Sequence, residues 1–400
     1  YGGRRDESHG IDQRLWAKAL AIGDDKTGVV LLTVDNLGVP EEVNAQVAAR
    51  LREQFGWDRS RLAVCSSHTH SAPMLTNVAP TLFGMPIPPE HQKNIDRYTK
   101  ELTERLTQVV LRALESRQPG RLEFARGTVR FAANRRTANG PVDHDLPVLR
   151  ILDRDGRVRA FVVSYACHCT TLGGDYNRIH GDWAGYAQEF LERSHPGTIA
   201  LVAIGCGGDA NPAPRTGLKF AEQHGESIAA EVQRLMRGTW RSIPAPTATH
   251  YSQIPLNFDR IPSRAEWEQR AKQPGAVGYH AQIQLKQLEA GKPLPTTLPY
   301  PVQTWIFGDA LAMIFLGGEV VVDFSLRAKR EFDADRLWVN AYANDVPCYI
   351  PSVRILKEGG YEAEGAMVYY NRPTRLAPDT EERIFKELHR QMPEGFRVEG

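Results

Sequence analysis

Four short stretches of this chain carry almost nothing but apolar side chains: residues 28–34, 62–64, 161–166 and 199–204. Each is far too short to cross a bilayer as a helix, and each reads as a buried strand. Helical patterns separate them. After Asp35-Asn36, Pro40 opens a helix with Glu41 and Glu42 in its first turn, and Val43, Val47, Ala48 and Leu51 give it one apolar stripe. Strand, helix, strand is a βαβ unit. Such alternation predicts an α/β protein with mixed, largely parallel central sheets flanked by helices. Sheets of that kind place ligands beyond the carboxyl ends of their strands, so the residues after each apolar run are where chemistry is expected.

Those residues are informative. The run at 62–64 leads through Cys65-Ser66-Ser67 into His68-Thr69-His70. In extended backbone, side chains two apart share a face, so both imidazoles can reach one pocket as metal ligands or near-neutral acid/base groups. The run at 161–166 ends at Cys167-His168-Cys169, and the one at 199–204 ends at Gly205-Cys206-Gly207-Gly208-Asp209, where bare glycine backbone could approach a ligand. A hairpin of residues 304–307 and 311–316 ends at Gly317-Gly318-Glu319. His68, His168 and Glu319 are two histidines and a carboxylate, a common set for a catalytic Zn2+ with one position open to water. Such zinc activates water and polarises a carbonyl, which suits amide and ester hydrolysis. Plainer roles stay open. Glu319 suits the start of a helix over 320–331, Asp182 suits the cap of a helix through Phe190 or a place behind a ligand, and His180 suits loop or pocket.

The remaining chain frames these points. Residues 74–92, rich in proline, read as a pocket-lining loop. A helix over 93–117 should bury Ile95, Tyr98, Leu102, Leu106, Val109 and Ala113. Asn134-Arg135-Arg136 lies between short strands, and an arginine entering a pocket there would anchor a substrate oxygen. Helices are expected at 217–236 and 379–391. Residues 1–400 are expected to form one catalytic domain with an irregular insertion near 240–300. The 49 Lys and Arg against 48 Asp and Glu show no basic footprint for nucleic acid. No apolar run has transmembrane length, the five cysteines show no zinc-finger spacing and read as buried thiols, and nothing sets the oligomeric state.

Taken together, Ser67-His68-Thr69-His70-Ser71-Ala72-Pro73, Ala166-Cys167-His168, Gly181-Asp182-Trp183-Ala184-Gly185-Tyr186-Ala187, Gly208-Asp209-Ala210-Asn211-Pro212, Gly318-Glu319 and Tyr349-Ile350-Pro351 resemble the catalytic domain of neutral ceramidases. Order and approximate spacing are kept over most of residues 20–370. The resemblance implies stacked sheets flanked by helices, and hydrolysis of the N-acyl bond of ceramide. It also implies a zinc held by His68, His168, Glu319 and Tyr349. His70 would face the reacting carbonyl and Arg135 would bind a substrate oxygen. Asn211 stands where the family has a serine; it keeps a hydrogen-bond donor but offers no hydroxyl. The family's C-terminal immunoglobulin-like domain is expected to be missing. The expectation is thus a shorter bacterial relative, secreted or periplasmic, with its own substrate.

The leading expectation is therefore a zinc-dependent hydrolase of a linear N-acyl amide, with ceramide-type lipid as the nominal substrate. In it, zinc-bound hydroxide attacks the carbonyl while His70, Tyr349 and Asn211 stabilise the oxyanion. A second keeps the metal but takes a polar substrate such as an acylated or acetylated sugar. A third keeps the fold as a non-catalytic binding protein, which the retention of all four ligands disfavours.

Overall fold

The apolar run after Gly28 forms a strand whose alternate side chains enter two different cores, and the rest of the architecture repeats that use. The computed structural model describes residues 1–398. A first sheet joins β1 (Ala17–Ile22), β2 (Val29–Val34) and β3 (Leu62–Ser66) in that order. Next come β4 (Arg121–Thr128), β5 (Ala132–Asn134), β6 (Asp145–Leu152), β7 (Val158–Tyr165), β8 (Ile199–Ile204), β9 (Ala210–Pro212) and β10 (Arg241–Ile243). Five of these form a second sheet, β10-β4-β6-β7-β8, while β5 pairs with β9. The last strands are β11 (Ala248–Asn257), β12 (Thr297–Phe307), β13 (Leu311–Leu316), β14 (Glu319–Val320), β15 (Leu337–Asn340) and β16 (Tyr349–Ile350). They give a third sheet, β11-β12-β13-β15, and a small pair of β14 with β16.

One face of each large sheet meets the others in a shared core. Val29 and Leu31 of the first sheet join Val162 and Leu201 of the second and Trp305 and Phe315 of the third. Helices cover the opposite faces. Val30, Leu32 and Val34 pack against α1 (Glu41–Phe55) and α2 (Pro89–Glu115), which buries Leu102, Leu106, Val110 and Leu114. The buried stripe of α2 thus runs through Val110 and Leu114 where Val109 and Ala113 were expected, and both of those lie half-buried beside it. Phe161 and Val163 face α3 (Asp182–Ser194) and α4 (Leu218–Met236). Between β11 and β12 the chain makes an excursion carrying α5 (Arg264–Arg270) and α6 (Gly275–Glu289). Helices α7 (Val322–Glu331), α8 (Val353–Glu358) and α9 (Thr380–Gln391) complete the chain; Phe324 of α7 and Phe385 of α9 join the core with Phe161.

The expectation of largely parallel sheets needs correction. Seven of the eleven pairings between named strands are antiparallel. Strand β11, inside the stretch read as irregular, pairs antiparallel from Ala248↔Ile306 to Asn257↔Thr297 with β12, whose end was expected as a strand over 304–307. Each large sheet nevertheless ends in one parallel pair: β2 with β3, β7 with β8, and β13 with β15. The loops that carry the candidate residues leave these edges. Backbone hydrogen bonds tie the ends together, from Ala341 N to Ile204 O, Ser66 N to Tyr342 O and Asn344 N to Val64 O. The five cysteines are buried free thiols.

Candidate functional site

His68 and His70 reach one pocket by a route other than strand alternation. His68 has φ 57°, a left-handed conformation that is uncommon outside glycine. Ser67 N is held by Val34 O at 2.9 Å, Thr69 Oγ1 donates to His180 O at 2.7 Å, and His68 Nδ1 lies 2.6 Å from Leu37 O. These bonds over-determine the turn, which is how such strain persists at a site. The two rings end edge to face, with Nε2 atoms 3.1 Å apart.

His168 follows β7. Its Nδ1 lies 2.7 Å from Gly207 O, and its carbonyl accepts from the Trp183 indole at 2.9 Å. The glycines after β8 serve the protein's own backbone. Gly208 N donates to Val320 O, and a Cβ at Gly208 would stand 2.6 Å from Glu319 O. They were expected to admit a ligand; they admit neighbouring strand ends. Glu319 opens β14, ahead of the first turn of α7, and its register partner in β16 is Tyr349. That pairing sets the carboxylate beside the phenol. Glu319 Oε2 is 2.8 Å from His168 Nε2 and 3.1 Å from His68 Nε2, and Tyr349 Oη is 3.2 Å from His168 Nε2. Tyr370 donates to Glu319 Oε1, Arg135 donates to Tyr349 Oη at 2.9 Å, and the Arg135 Nε donates to Glu362 at 2.7 Å.

The donor set has the chemistry of a cation site. The Nδ1 atoms of His68 and His168 face backbone carbonyls, and their Nε2 atoms face one carboxylate oxygen. Their separations of about 3 Å are comparable to those that tetrahedral zinc bonds of about 2.0–2.1 Å set. The second-nitrogen bonds to backbone carbonyls are those that orient metal-binding histidines. Burial lowers the His168 pKa to about 4, so this imidazole is neutral near pH 7. Burial would raise the Glu319 carboxyl, but His68 and His168 hold it well below its ordinary value. Deprotonated ligands are what a divalent ion needs. Ring nitrogens of His68, His70 and His168 all lie within 4.8 Å of one another.

A cavity of about 850 Å³ opens over this cluster, lined among others by His70, Arg135, Asn211, Glu319, Tyr349 and Tyr361. An apolar groove of about 650 Å³ adjoins it and shares Tyr1, Leu37, His70 and Leu82. Met74, Leu75, Val78 and Phe83 from the proline-rich loop form part of its wall. Asp182 is the first residue of α3, Gly181 being its cap; its carboxylate accepts from Trp183 N and Leu172 N and so braces the loop after His168. His180 is buried, accepts from Asp182 N, and is held near pKa 4 by burial.

Sequence reasoning missed Tyr342, whose ring centroid lies 4.5 Å from that of His68, and the Tyr370 hydroxyl on Glu319. Neither sits in a ligand-like spacing. Glu362 follows two glycines and a tyrosine, a visible loop signal that gave no hint of its arginine partners.

Comparison with known proteins identifies the family and the fold. The family model for neutral/alkaline non-lysosomal ceramidase, N-terminal, matches residues 1–212, more than half of the 400-residue chain. Neutral ceramidase A of Dictyostelium discoideum is 27% identical over 215 residues, 49% of this chain and 29% of that protein. Neutral ceramidase of Pseudomonas aeruginosa is 24% identical over 232 residues, 53% of this chain and 34% of that protein. The matched stretch thus spans about a third of those relatives. A crystal structure of the Pseudomonas aeruginosa neutral ceramidase superposes with TM-score 0.71 at 19% identity, covering 100% of this chain and 73% of that one. A ceramidase complexed with C2 superposes at 0.73 and 18% identity, with the same coverage. The fold is therefore shared along the whole chain, and the chain belongs to the neutral/alkaline non-lysosomal ceramidase family.

Proposed function

We propose that this protein is a zinc-dependent hydrolase of linear N-acyl amides, with a ceramide-like lipid as the nominal substrate. The observation that carries the reading is the convergence of His68 Nε2, His168 Nε2, Glu319 Oε2 and Tyr349 Oη at 2.8–3.2 Å below an open cavity. These four atoms would hold the ion, which when bound supplies an activated water and a polarised carbonyl. The chain's own groups do the rest. As the amide carbon becomes tetrahedral its oxygen gains charge, and the donors facing that space are His70, Tyr349, Asn211 and Arg135. Burial lowers the His70 pKa well below its ordinary value, so its ring is neutral and keeps one N–H to give. The Arg135 bond to Tyr349 Oη directs the phenol, and the Tyr370 bond fixes the carboxylate.

The adjoining groove suits an acyl chain, since its wall includes Met74, Leu75, Val78, Phe83 and Ile87. A specific observation also favours the second reading, a polar substrate: the larger cavity is rimmed by Arg135, Arg136, Arg215, Glu358 and Glu362. Together they suit an amphiphile whose acyl half lies in the groove and whose amine half lies among polar groups. No helix of the described residues is long and apolar enough to cross a membrane. The test is metal analysis together with fatty-acid release. The protein should carry one zinc per chain and release fatty acid in a chelator-sensitive way, and His168→Ala should lose both metal and at least a thousandfold in turnover. Full activity in that variant would sink the assignment.

A further inference from the structure

We propose that the amine half of the substrate carries a carboxylate bound by Arg215, which makes N-acyl amino acids the preferred substrates over neutral amides. This rests on the N-acyl hydrolase reading above and replaces its nominal substrate, the neutral amide ceramide, with a carboxylate-bearing amide at the same site. Three arginines line the larger cavity, and two of them are neutralised. Arg135 and Arg136 share Glu362, and Arg136 also reaches Glu358 at 3.1 Å. Arg215 has no such partner: among the described residues no carboxylate oxygen lies within 4.0 Å of it. Its one side-chain hydrogen bond is a donation to the Tyr1 hydroxyl at 3.3 Å, and its Nε is buried without an acceptor.

An unpaired guanidinium with a buried N–H is costly unless something binds it. Its flat fork of donors matches a carboxylate through two parallel hydrogen bonds. The adjacent wall reinforces this. Asn211 Oδ1 accepts from Thr170 Oγ1 at 3.3 Å, and the amide Nδ2 has no protein partner, so a second donor faces the cavity beside Arg215.

The position fits the amine side of the scissile bond. Arg215 lines the larger cavity and not the apolar groove. Tyr1 connects it to the reaction centre, since the Tyr1 hydroxyl accepts from Arg215 while its ring lies 4.8 Å from the His70 ring. An acyl chain in the groove therefore puts its carbonyl near His70 and the substituent on nitrogen near Arg215. The reaction adds one water across the C–N bond. The acyl carbon keeps the oxygen and leaves as a fatty acid, and the nitrogen takes a proton and leaves as an amino acid.

The test compares N-dodecanoylglycine with its neutral isostere N-dodecanoylglycinamide on the zinc-loaded protein. The wild type should favour the carboxylate about 10- to 100-fold in kcat/KM, mostly through KM, as one charge-assisted pair warrants. Arg215→Gln should bring the ratio of the two substrates close to one, and Arg215→Lys, which keeps charge but loses the fork, should fall between. A merely structural role would lower both substrates alike and leave the ratio unchanged, which would overturn the proposal, as would equal turnover of both by the wild type. Calorimetric binding of the same two compounds to metal-free protein separates the two failures. If neither compound nor ceramide is hydrolysed, the hydrolase reading falls; an Arg215-dependent binding preference for the carboxylate still sustains the carboxylate site, and equal binding removes it.

Discussion

At the scale of single residues, the site is held by groups that touch the four proposed ligand side chains from behind. Glu319 shows this well: Oε2 faces the two histidines while Oε1 accepts from Tyr370. Without that hydroxyl the carboxylate could rotate and offer either oxygen. Burial pushes the Tyr370 phenol well above its ordinary pKa, with the Glu319 charge adding to the rise, so it remains a donor across the working range. Tyr370→Phe keeps the ring and removes only the bond. Loss of such a supporting contact costs about 10- to 100-fold in metal affinity or activity. Zinc affinity by chelator competition and kcat/KM should both fall in that range, and an unchanged affinity would show that Tyr370 packs without orienting.

At the scale of elements, strand ends position the chemistry and glycines let them meet. Gly208 carries a tight demand, because a methyl group there would stand 2.6 Å from Glu319 O and 2.9 Å from Val320 O, both rigid backbone atoms. Gly208→Ala should lower unfolding stability by about 1–3 kcal/mol in urea titrations. It should also weaken zinc binding, since the displaced strand carries the proposed ligand Glu319. Gly395→Ala, where nothing lies within 4 Å, is the control and should change neither. A Gly208→Ala variant as stable as that control would show the contact to be soft. The same elements mark what could be read in advance. Apolar runs ending in His68, His168 and Glu319 were legible because a strand buried on both faces needs a continuous apolar sequence. Strand β11 and the first half of β12 were not, because β11 mixes Thr249, His250, Ser252 and Gln253 among its apolar residues, and Pro299 and Pro301 interrupt β12 ahead of the legible run 304–307. Proline normally argues against an internal strand. Here Pro299 stands opposite Pro255 and Pro301 opposite Gln253 in an otherwise continuous ladder. The preponderance of antiparallel pairing was hidden for the same reason. So was the left-handed turn at His68, which is fixed by bonds to Leu37 and to the backbone after β2 that no local pattern announces.

At the scale of the whole molecule, buried imidazoles link the fold to pH outside the proposed metal site. His280 on α6 is almost fully buried beside Trp267, with its Nε2 3.1 Å from the Gln284 amide. Burial, helped by Arg270, lowers its pKa from 6.5 to about 4. The sign follows from which state binds the proton first. Above pH 6.5 both folded and unfolded chains carry neutral His280, and its contribution is fully present. Between 6.5 and 4 the unfolded chain is protonated and the folded one is not, so stability falls as pH falls; below 4 both are charged and the loss levels off. At about 1.4 kcal/mol per pKa unit, this residue alone should remove about 2 kcal/mol between pH 7 and pH 4.5. Other groups titrate in the same window: His180, also lowered to about 4, acts in the same direction, while Asp345, whose carboxyl burial raises to about 7, acts in the opposite one. The useful quantity is therefore a difference. His280→Gln keeps a polar partner for Gln284 and removes the titration. Urea unfolding of both proteins at pH 7 and 4.5 should show the wild type losing about 2 kcal/mol more than the variant across that interval. Equal losses would mean that the helical excursion opens to water before His280 takes its proton, leaving the excursion outside the cooperative unit that encloses the site.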